Sequence, residues 1–104
     1  MFRVFRSEWY QSKLKKLDKS ELIRVLKFEK SLKTSPYSGK PLGYKFFREK
    51  KFDGKRLLFL VYEEQKCVFL ITIVNKKIQQ EIINLIKLNL EKYKKELEKV
   101  IKNL

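Results

Sequence analysis

The first third of the chain changes from alternating apolar positions to apolar positions at helical spacing. Residues 2–6 alternate apolar and basic side chains, which predicts a short strand. Ser7 can then N-cap a helix, and Asp18 with Glu21 three residues later has the spacing of a capping box. A second helix is therefore expected to run to about residue 33, and the two helices are expected to form a hairpin.

A loop and three strands follow this hairpin. Residues 34–43 contain both prolines and two of the three glycines, which is typical of a loop. Residues 44–52 combine apolar and basic side chains, whereas residues 56–62 and 68–74 are apolar on both faces and are expected to be central strands. Asp53-Gly54 predicts a tight hairpin turn, and the basic strand before it is expected nearer an edge of the sheet.

The last segment, residues 76–104, predicts one long amphipathic helix without Gly or Pro. At 1.5 Å per residue this helix would be roughly 40 Å long, which exceeds the diameter of roughly 33 Å expected for a compact chain of this size. Two interpretations follow. Either the first half packs on the sheet and the rest frays or bends, or an exposed apolar stripe from about Leu90 binds a second copy of the chain or a neutralising protein.

The predicted fold class is therefore α+β, in the order β-α-α-β-β-β-α, with a helical hairpin packed on a small antiparallel sheet and a long C-terminal helix. The 104 residues predict a single domain, with residues 1–75 as its core and residues 76–104 as the C-terminal helix. With one cysteine and no run of about 18 apolar residues, the chain is expected to be cytoplasmic and not to span a membrane. The N-terminus also lacks the layout of a signal peptide.

The formal net charge of +14 favours an anionic partner: nucleic acid, an anionic membrane or an acidic protein. A membrane partner is the weakest of these, because Lys and Glu are mixed on the polar face of the last helix. The chain has no histidine and no Gly-rich phosphate loop, so neither a metal nor a nucleotide cofactor is expected. The residues that remain for phosphate chemistry are Lys45, Arg48, Lys50, Lys51, Lys55, Arg56, Lys76 and Lys77.

Such a set could bind or cut RNA. Attack by a ribose 2′-hydroxyl needs a base, positive charge on the pentavalent phosphate and an acid for the leaving oxygen. The alternative is that these charges form a solvated face that acts by electrostatics alone. Phe46, Phe47 and Phe52 in the same strand could stack on bases, although packing in the core is the commoner role for such side chains.

Several features in chain order resemble the RelE/ParE superfamily of toxins from toxin–antitoxin systems. They are Val4, Ser7, Tyr10, Leu14, Leu17-Asp18, the loop Ser35-Pro36-Tyr37-Ser38-Gly39-Lys40-Pro41-Leu42, Arg56 and Val61-Tyr62. The resemblance covers about residues 1–77. It implies a helical hairpin on a small antiparallel sheet and either of two activities: ribosome-dependent mRNA cleavage in the RelE branch, or inhibition of DNA gyrase in the ParE branch.

In the RelE branch, the resemblance implies that Arg56 stabilises the phosphate, that Lys45 assists with Arg48 as a second candidate, and that Lys77 replaces a family arginine. The catalytic tyrosine of the family would fall near Ile83, and the nearest tyrosine here, Tyr93, lies almost three turns further on.

The leading hypothesis is thus a RelE-like toxin that cleaves mRNA on the ribosome. Its catalytic residues would be Arg56, Lys45 and Lys77, and its RNA-binding residues would be Arg48, Lys50, Lys51, Lys55 and Lys76. The alternative is a non-cleaving or gyrase-directed protein that acts by binding through its basic sheet and last helix. Either reading implies a cognate antitoxin with an acidic binding segment.

Overall fold

The computed structural model describes residues 1–104 and contains five strands and four helices. The elements are β1 (Arg3–Arg6), α1 (Glu8–Leu14), α2 (Lys19–Leu32), β2 (Lys40–Pro41), β3 (Phe47–Phe52), β4 (Lys55–Tyr62), β5 (Cys67–Asn75), α3 (Gln79–Leu88) and α4 (Leu90–Lys102). The strands form one sheet in the order β1-β5-β4-β3-β2. The predicted α+β class is confirmed, and β3 has only the two-residue β2 between it and the edge.

The sheet is mixed, whereas a wholly antiparallel sheet was predicted. The strands β2 to β5 pair antiparallel, but β1 lies parallel to β5. Parallel neighbours need a crossover connection, and here the helical hairpin and the meander together supply it. Because this pairing joins segments more than 60 residues apart, the local alternation of residues 2–6 could not reveal its direction.

Both predicted helix starts are confirmed. The Ser7 hydroxyl accepts a hydrogen bond from the Tyr10 backbone N–H at 3.0 Å. At α2, Asp18 accepts from the Glu21 N–H at 2.8 Å, and the Glu21 carboxylate accepts from the Asp18 N–H at 3.1 Å. These bonds satisfy N–H groups that have no partner within the helix, so local sequence fixes where each helix begins.

The sheet separates two apolar clusters, because side chains along each strand alternate between its faces. The hairpin face carries the cluster beneath α1 and α2, and this cluster includes Tyr10, Val25, Leu57 and Phe59. The opposite face, here called the C-terminal face, carries the cluster beneath α3 and α4: Leu42, Phe47, Leu58, Leu60, Cys67, Phe69, Ile71, Val74, Ile83, Ile86, Tyr93 and Leu97. The central strands β4 and β5 are thus buried on both sides.

The single long C-terminal helix predicted for residues 76–104 is wrong, because α3 and α4 are separate helices that meet at Asn89. The backbone of Asn89 leaves the helical region at φ −124° and ψ 24°, and its side chain donates to the Leu85 carbonyl at 2.8 Å. The change of direction keeps the molecule within 32 × 27 × 23 Å. It also lets Tyr93 and Leu97 reach the core.

Of the two interpretations, the one in which the helix bends is confirmed, because Tyr93 and Leu97 of the distal stripe pack into the core after the break at Asn89. The alternative, an apolar stripe exposed from about Leu90, is wrong, and only Leu104 at its end is largely exposed. The prediction of a homodimer through that stripe is therefore not supported, because Tyr93 and Leu97 are buried within the same chain. None of the helices has the length and apolar character needed to span a membrane.

The turn between β3 and β4 forms as predicted, with positive φ at both Asp53 and Gly54. The three phenylalanines of the basic segment differ in environment. Phe47 is buried, Phe52 is half-buried against the hairpin-face cluster, and Phe46 is 37% exposed. Only Phe46 of the three remains open to a ligand.

Candidate nucleic-acid interface

Four of the predicted cationic residues gather at one end of the sheet. Arg56, near the start of β4, pairs in register with Lys51 of β3, so both side chains leave the sheet on the C-terminal face. Lys76 and Lys77 directly follow Asn75, the residue of β5 that pairs with Lys55. Lys51, Lys76 and Lys77 are exposed and lie at the same end of the sheet as Arg56.

Arg56 is the buried member of this group and lacks a full set of partners. It is 8% exposed, its Nε has no hydrogen-bond acceptor, and Nη1 donates only to the Lys55 carbonyl at 3.4 Å. None of the salt bridges includes Arg56, so no carboxylate lies within 4.0 Å of it. A guanidinium carries five N–H donors in a fork that matches phosphate oxygens. Arg56 therefore keeps unused donors at a buried position.

Glu49 lies next to this arginine and did not figure among the predicted site residues. It pairs with Leu58, two positions from Arg56 on the same face, which makes Glu49 and Arg56 diagonal neighbours at a spacing of about 7–8 Å. Glu49 is 2% exposed, and its carboxylate accepts a hydrogen bond from Gln79 in the first turn of α3. The signal in the sequence was available: Glu49 is the only acid in an otherwise basic strand and shares the parity of Phe47.

Thr72 completes a small polar region on the C-terminal face. Thr72 of β5 lies opposite Leu58 of β4, and its buried hydroxyl oxygen has no hydrogen-bond partner. Arg56 Nε and Thr72 Oγ1 are the two buried side-chain polar atoms of the protein without one. Thr72 lies in the same cross-strand row as Glu49 and Leu58, and Arg56 lies in the next row of that face toward the end of the sheet where α3 begins. Buried polar groups are nearly always paired, so two orphans in one place indicate a position for a polar ligand or solvent.

Three other predicted residues project from the hairpin face and have partners there. The Lys55 ammonium lies 2.7 Å from a Glu21 carboxylate oxygen, and this bond holds the pKa of Glu21 below its usual value, with the Asp18 N–H as a second cause. Lys50 Nζ lies 5.5 Å from the centre of the Phe28 ring. Because the sheet separates these cations from Arg56, Lys50 and Lys55 do not share its site.

Arg48 also projects from the hairpin face, where it fixes the loop before β3. Its guanidinium donates to the carbonyls of Ser38, Gly39 and Lys45 at 2.9–3.1 Å. Gly39 itself has φ +80°, and a Cβ atom at that position would lie 2.1 Å from the Glu49 carbonyl oxygen. Arg48 thus has its donors used within the protein, which is the pattern of a structural arginine.

Lys45 lies at the far end of the sheet from Arg56. The neighbouring Phe46 carbonyl accepts from the Val61 N–H at 2.8 Å, and Val61 is five residues along β4 from Arg56, or about 17 Å in a strand. Lys45 Nζ lies 4.7 Å from the centre of the Tyr37 ring. The expectation that Lys45 and Arg56 converge on one phosphate is therefore wrong.

Neither the position expected for the family tyrosine nor the nearest tyrosine offers a hydroxyl to the site. Ile83 is 4% exposed and packs into the C-terminal-face cluster, as does Tyr93 of α4. Burial and the nearby Glu96 raise the pKa of Tyr93, so its phenol stays protonated. No group of three or more His, Cys, Asp or Glu side chains converges to hold a metal ion.

A helical hairpin and two C-terminal helices lie on opposite faces of a small sheet, and this fold is similar to that of solved RelE toxins. The E. coli RelBE toxin–antitoxin complex is similar at 22% identity and a TM-score of 0.65, covering 72% of this chain and 96% of that one. The isolated E. coli RelE toxin gives 20% identity and a TM-score of 0.64, covering 83% and 99%. The archaeal RelE–RelB complex from Pyrococcus horikoshii gives 18% and 0.63, covering 72% and 94%.

The chain therefore has the RelE fold, as its sequence resemblance predicts. No protein-family model and no curated protein sequence matches it. At these identities the similarity establishes the fold, and what the side chains do has to be argued from the site.

Proposed function

We propose that this protein is a RelE-type toxin that cleaves RNA at the C-terminal face of its sheet, with mRNA on the ribosome as its substrate and an antitoxin as its partner. The observation that carries the proposal is the buried Arg56 with unused donors beside the buried carboxylate of Glu49. A cation for the phosphate and a carboxylate for the 2′-hydroxyl are two of the three groups that RNA cleavage by an internal nucleophile requires.

The proposed step transfers the 2′-hydroxyl proton to Glu49 while the 2′-oxygen attacks the adjacent phosphorus. Arg56 donates to the nonbridging oxygens, whose negative charge grows in the transition state. The bond from phosphorus to the 5′-oxygen breaks, and an ammonium among Lys51, Lys76 and Lys77 gives that oxygen a proton. The products are a 2′,3′-cyclic phosphate and a 5′-hydroxyl. Lys77 keeps a site role here and Lys76 a phosphate-binding role, whereas Lys45 is too remote to contact the scissile phosphate.

Access to this site requires a local opening. Glu49 is bonded to Gln79, and both Glu49 and Arg56 are almost wholly covered. RNA approaching the exposed Lys51, Lys76 and Lys77 would have to replace Gln79 as the partner of Glu49. In this proposal the first turn of α3 is the segment that opens, because its N-cap residue, Ile78, offers no side-chain hydrogen bond to the helix.

The partner proposal rests on charge and on the similar structures. The chain carries a formal +14, and two of the similar RelE structures are complexes with RelB. An antitoxin with an acidic binding segment would complement the exposed lysines at the end of the sheet. We infer that it covers Lys51, Lys76 and Lys77.

A second function, growth inhibition without RNA cleavage, is favoured by one observation. Ile83 fills the place expected for the family tyrosine and lies in the core, so the site lacks that hydroxyl. A protein that binds but does not cut, or one that acts on DNA gyrase like the ParE branch, would need no third catalytic group.

The deciding experiment compares the wild type with Arg56→Ala and Arg56→Lys. For cleavage we expect Arg56→Ala to lower the single-turnover rate on translated messages ~10²- to 10³-fold, while binding to ribosomes falls much less. Arg56→Lys keeps the charge and loses the fork, so it should stay well below wild type. Arg3→Ala, which removes one arginine from β1, is the matched control, and thermal unfolding shows whether each variant is folded.

Mapping of message ends in cells expressing the protein separates the two functions. Cuts at fixed codon positions on translated messages support cleavage. Growth arrest with intact messages contradicts it, and relaxed or broken DNA in the same cells supports the gyrase-directed alternative. Equal losses of binding and of rate in Arg56→Ala would remove the transition-state role from Arg56.

A further inference from the structure

A second cleft, at the opposite end of the sheet from Arg56, brings three aromatic rings together beside two lysines. Its volume is about 490 Å³, and its aromatic walls are Tyr37, Phe46 and Tyr62. Lys45 from the segment before β3 and Lys94 from α4 also line it. The site of the proposed cleavage uses none of these residues.

Phe46 is the exposed ring of this cleft and is held in place from behind. Its ring stacks on Tyr44 with centroids 4.8 Å apart and planes at 17°. Tyr44 does not line the cleft, so the stacked pair presents Phe46 to it. Two large aromatic side chains that are 37% and 45% exposed lie side by side here, although aromatic rings usually bury most of their area. A ring fixed in this way loses little conformational entropy when a planar ligand stacks on it.

Cations surround the rings. Lys45 Nζ lies 4.7 Å from the centre of Tyr37, and Lys87 Nζ lies 5.8 Å from the centre of Tyr44. Of the two acids in the cleft, Glu63 is already engaged, since it accepts from the Tyr37 hydroxyl at 2.9 Å and pairs with Lys66. Glu64 is exposed and free to accept from an amino group. Aromatic faces with lysines at their rim suit a base and its phosphate, whereas an acidic peptide would meet Glu64.

We propose that this cleft is a binding site for a nucleobase of single-stranded RNA, stacked on Phe46, with the adjoining phosphates on Lys45 and Lys94. The site gives a role to Lys45, which lies at the opposite end of β4 from Arg56: it would bind the RNA at a point remote from the scissile bond. As a second contact for the same RNA, the inference rests on the proposed function. Its test is independent of cleavage and of ribosomes.

The experiment measures binding of the purified full chain to a short fluorescent RNA at low salt, without ribosomes. A base stacked on an aromatic ring loses about 5- to 100-fold in affinity when the ring is removed, so Phe46→Ala should weaken binding by that factor. Phe46→Trp should restore it. Ile23→Ala, which truncates a 47% exposed apolar side chain on α2, is the matched control and should bind like the wild type.

The probe separates stacking from charge. An abasic oligonucleotide of the same length and phosphate number should bind the wild type as weakly as the intact RNA binds Phe46→Ala. The salt slope should be the same for wild type and Phe46→Ala, because no phosphate contact is lost. Lys45→Ala should instead make the slope shallower by ~0.7.

Four results would overturn the proposal: no measurable binding of the base-bearing RNA, equal affinity for intact and abasic strands, an unchanged affinity in Phe46→Ala, or loss of antitoxin binding rather than RNA binding in that variant. The last result would make the cleft a protein-docking surface. Base-dependent binding that Phe46→Ala weakens, in a protein that does not cut messages, would keep this inference and reject the cleavage proposal. Cleavage of messages by a protein whose RNA binding Phe46→Ala does not change would keep the cleavage proposal and reject this inference.

Discussion

Glu49 and Gln79 connect β3 to the first turn of α3 by a side-chain hydrogen bond, with the Gln79 amide as donor. The carboxylate proposed as the base is thus held by a neutral amide through one of its oxygens, and no hydrogen bond engages the other oxygen.

Glu49→Gln tests the carboxylate directly. The amide oxygen can still accept from Gln79, so the fold should persist, but the variant has no base for the 2′-hydroxyl. We expect the single-turnover cleavage rate to fall ~10²- to 10⁴-fold with little change in ribosome binding. Rates should be measured at saturating protein, with circular dichroism as the check on folding. A variant that cuts messages at the wild-type rate would assign the proton transfer to another group.

Tyr93→Ala tests whether α4 is part of the core. Tyr93 is 7% exposed in the C-terminal-face cluster, so the substitution should leave a cavity and lower the free energy of unfolding by about 3 kcal/mol. Leu88→Ala, at the 84% exposed end of α3, should change it by less than about 0.5 kcal/mol. Urea unfolding measures both. Equal and small effects would mean that α4 is not docked on the sheet.

Glu21→Gln tests the ion pair with Lys55 through its pH dependence. The pKa of Glu21 is lowered in the folded protein by Lys55 first and by the Asp18 N–H second. The carboxylate therefore stabilises the fold above its usual pKa near 4.5, and this stabilisation is lost as the pH falls through the lowered value.

The unfolding midpoint of Glu21→Gln should accordingly lie below that of the wild type at pH 7, and the two should approach each other in acid. Thermal melts between pH 7 and pH 2 give the comparison. Glu64→Gln, which alters an exposed carboxylate without an ion pair, should run parallel to the wild type. A constant gap between wild type and Glu21→Gln at every pH would show that the ion pair is not the cause.

The parts of the fold that could be predicted from sequence are those determined by interactions between residues close together in the chain. The caps at Ser7 and Asp18 and the turn at Asp53-Gly54 depend on neighbours within three residues, and all three are confirmed. The parallel pairing of β1 with β5 and the break at Asn89 depend on distant segments. No Gly or Pro marked the break, because burial of Tyr93 and Leu97 determines it.

The candidate site could be predicted only in part, because it too depends on the pairing of distant segments. Basic residues on a strand are visible in sequence, but the face and the end of the sheet that each occupies follow from register. Register brought Lys51 to Arg56 and sent Lys50 and Lys55 to the other face. Register also places Glu49 in a buried position. An exposed carboxylate there would not have indicated a functional site.

The contact between Gly39 and β3 links the loop before β3 to the position of Glu49, whose side chain lies on the other face of the sheet. Because only a hydrogen atom fits between Gly39 and the Glu49 carbonyl, any bulkier residue at position 39 must push the two segments apart. The displaced segment would be the one that carries the Glu49 carboxylate. Sequence drift in a surface loop could thus tune the alignment of two groups that it never touches.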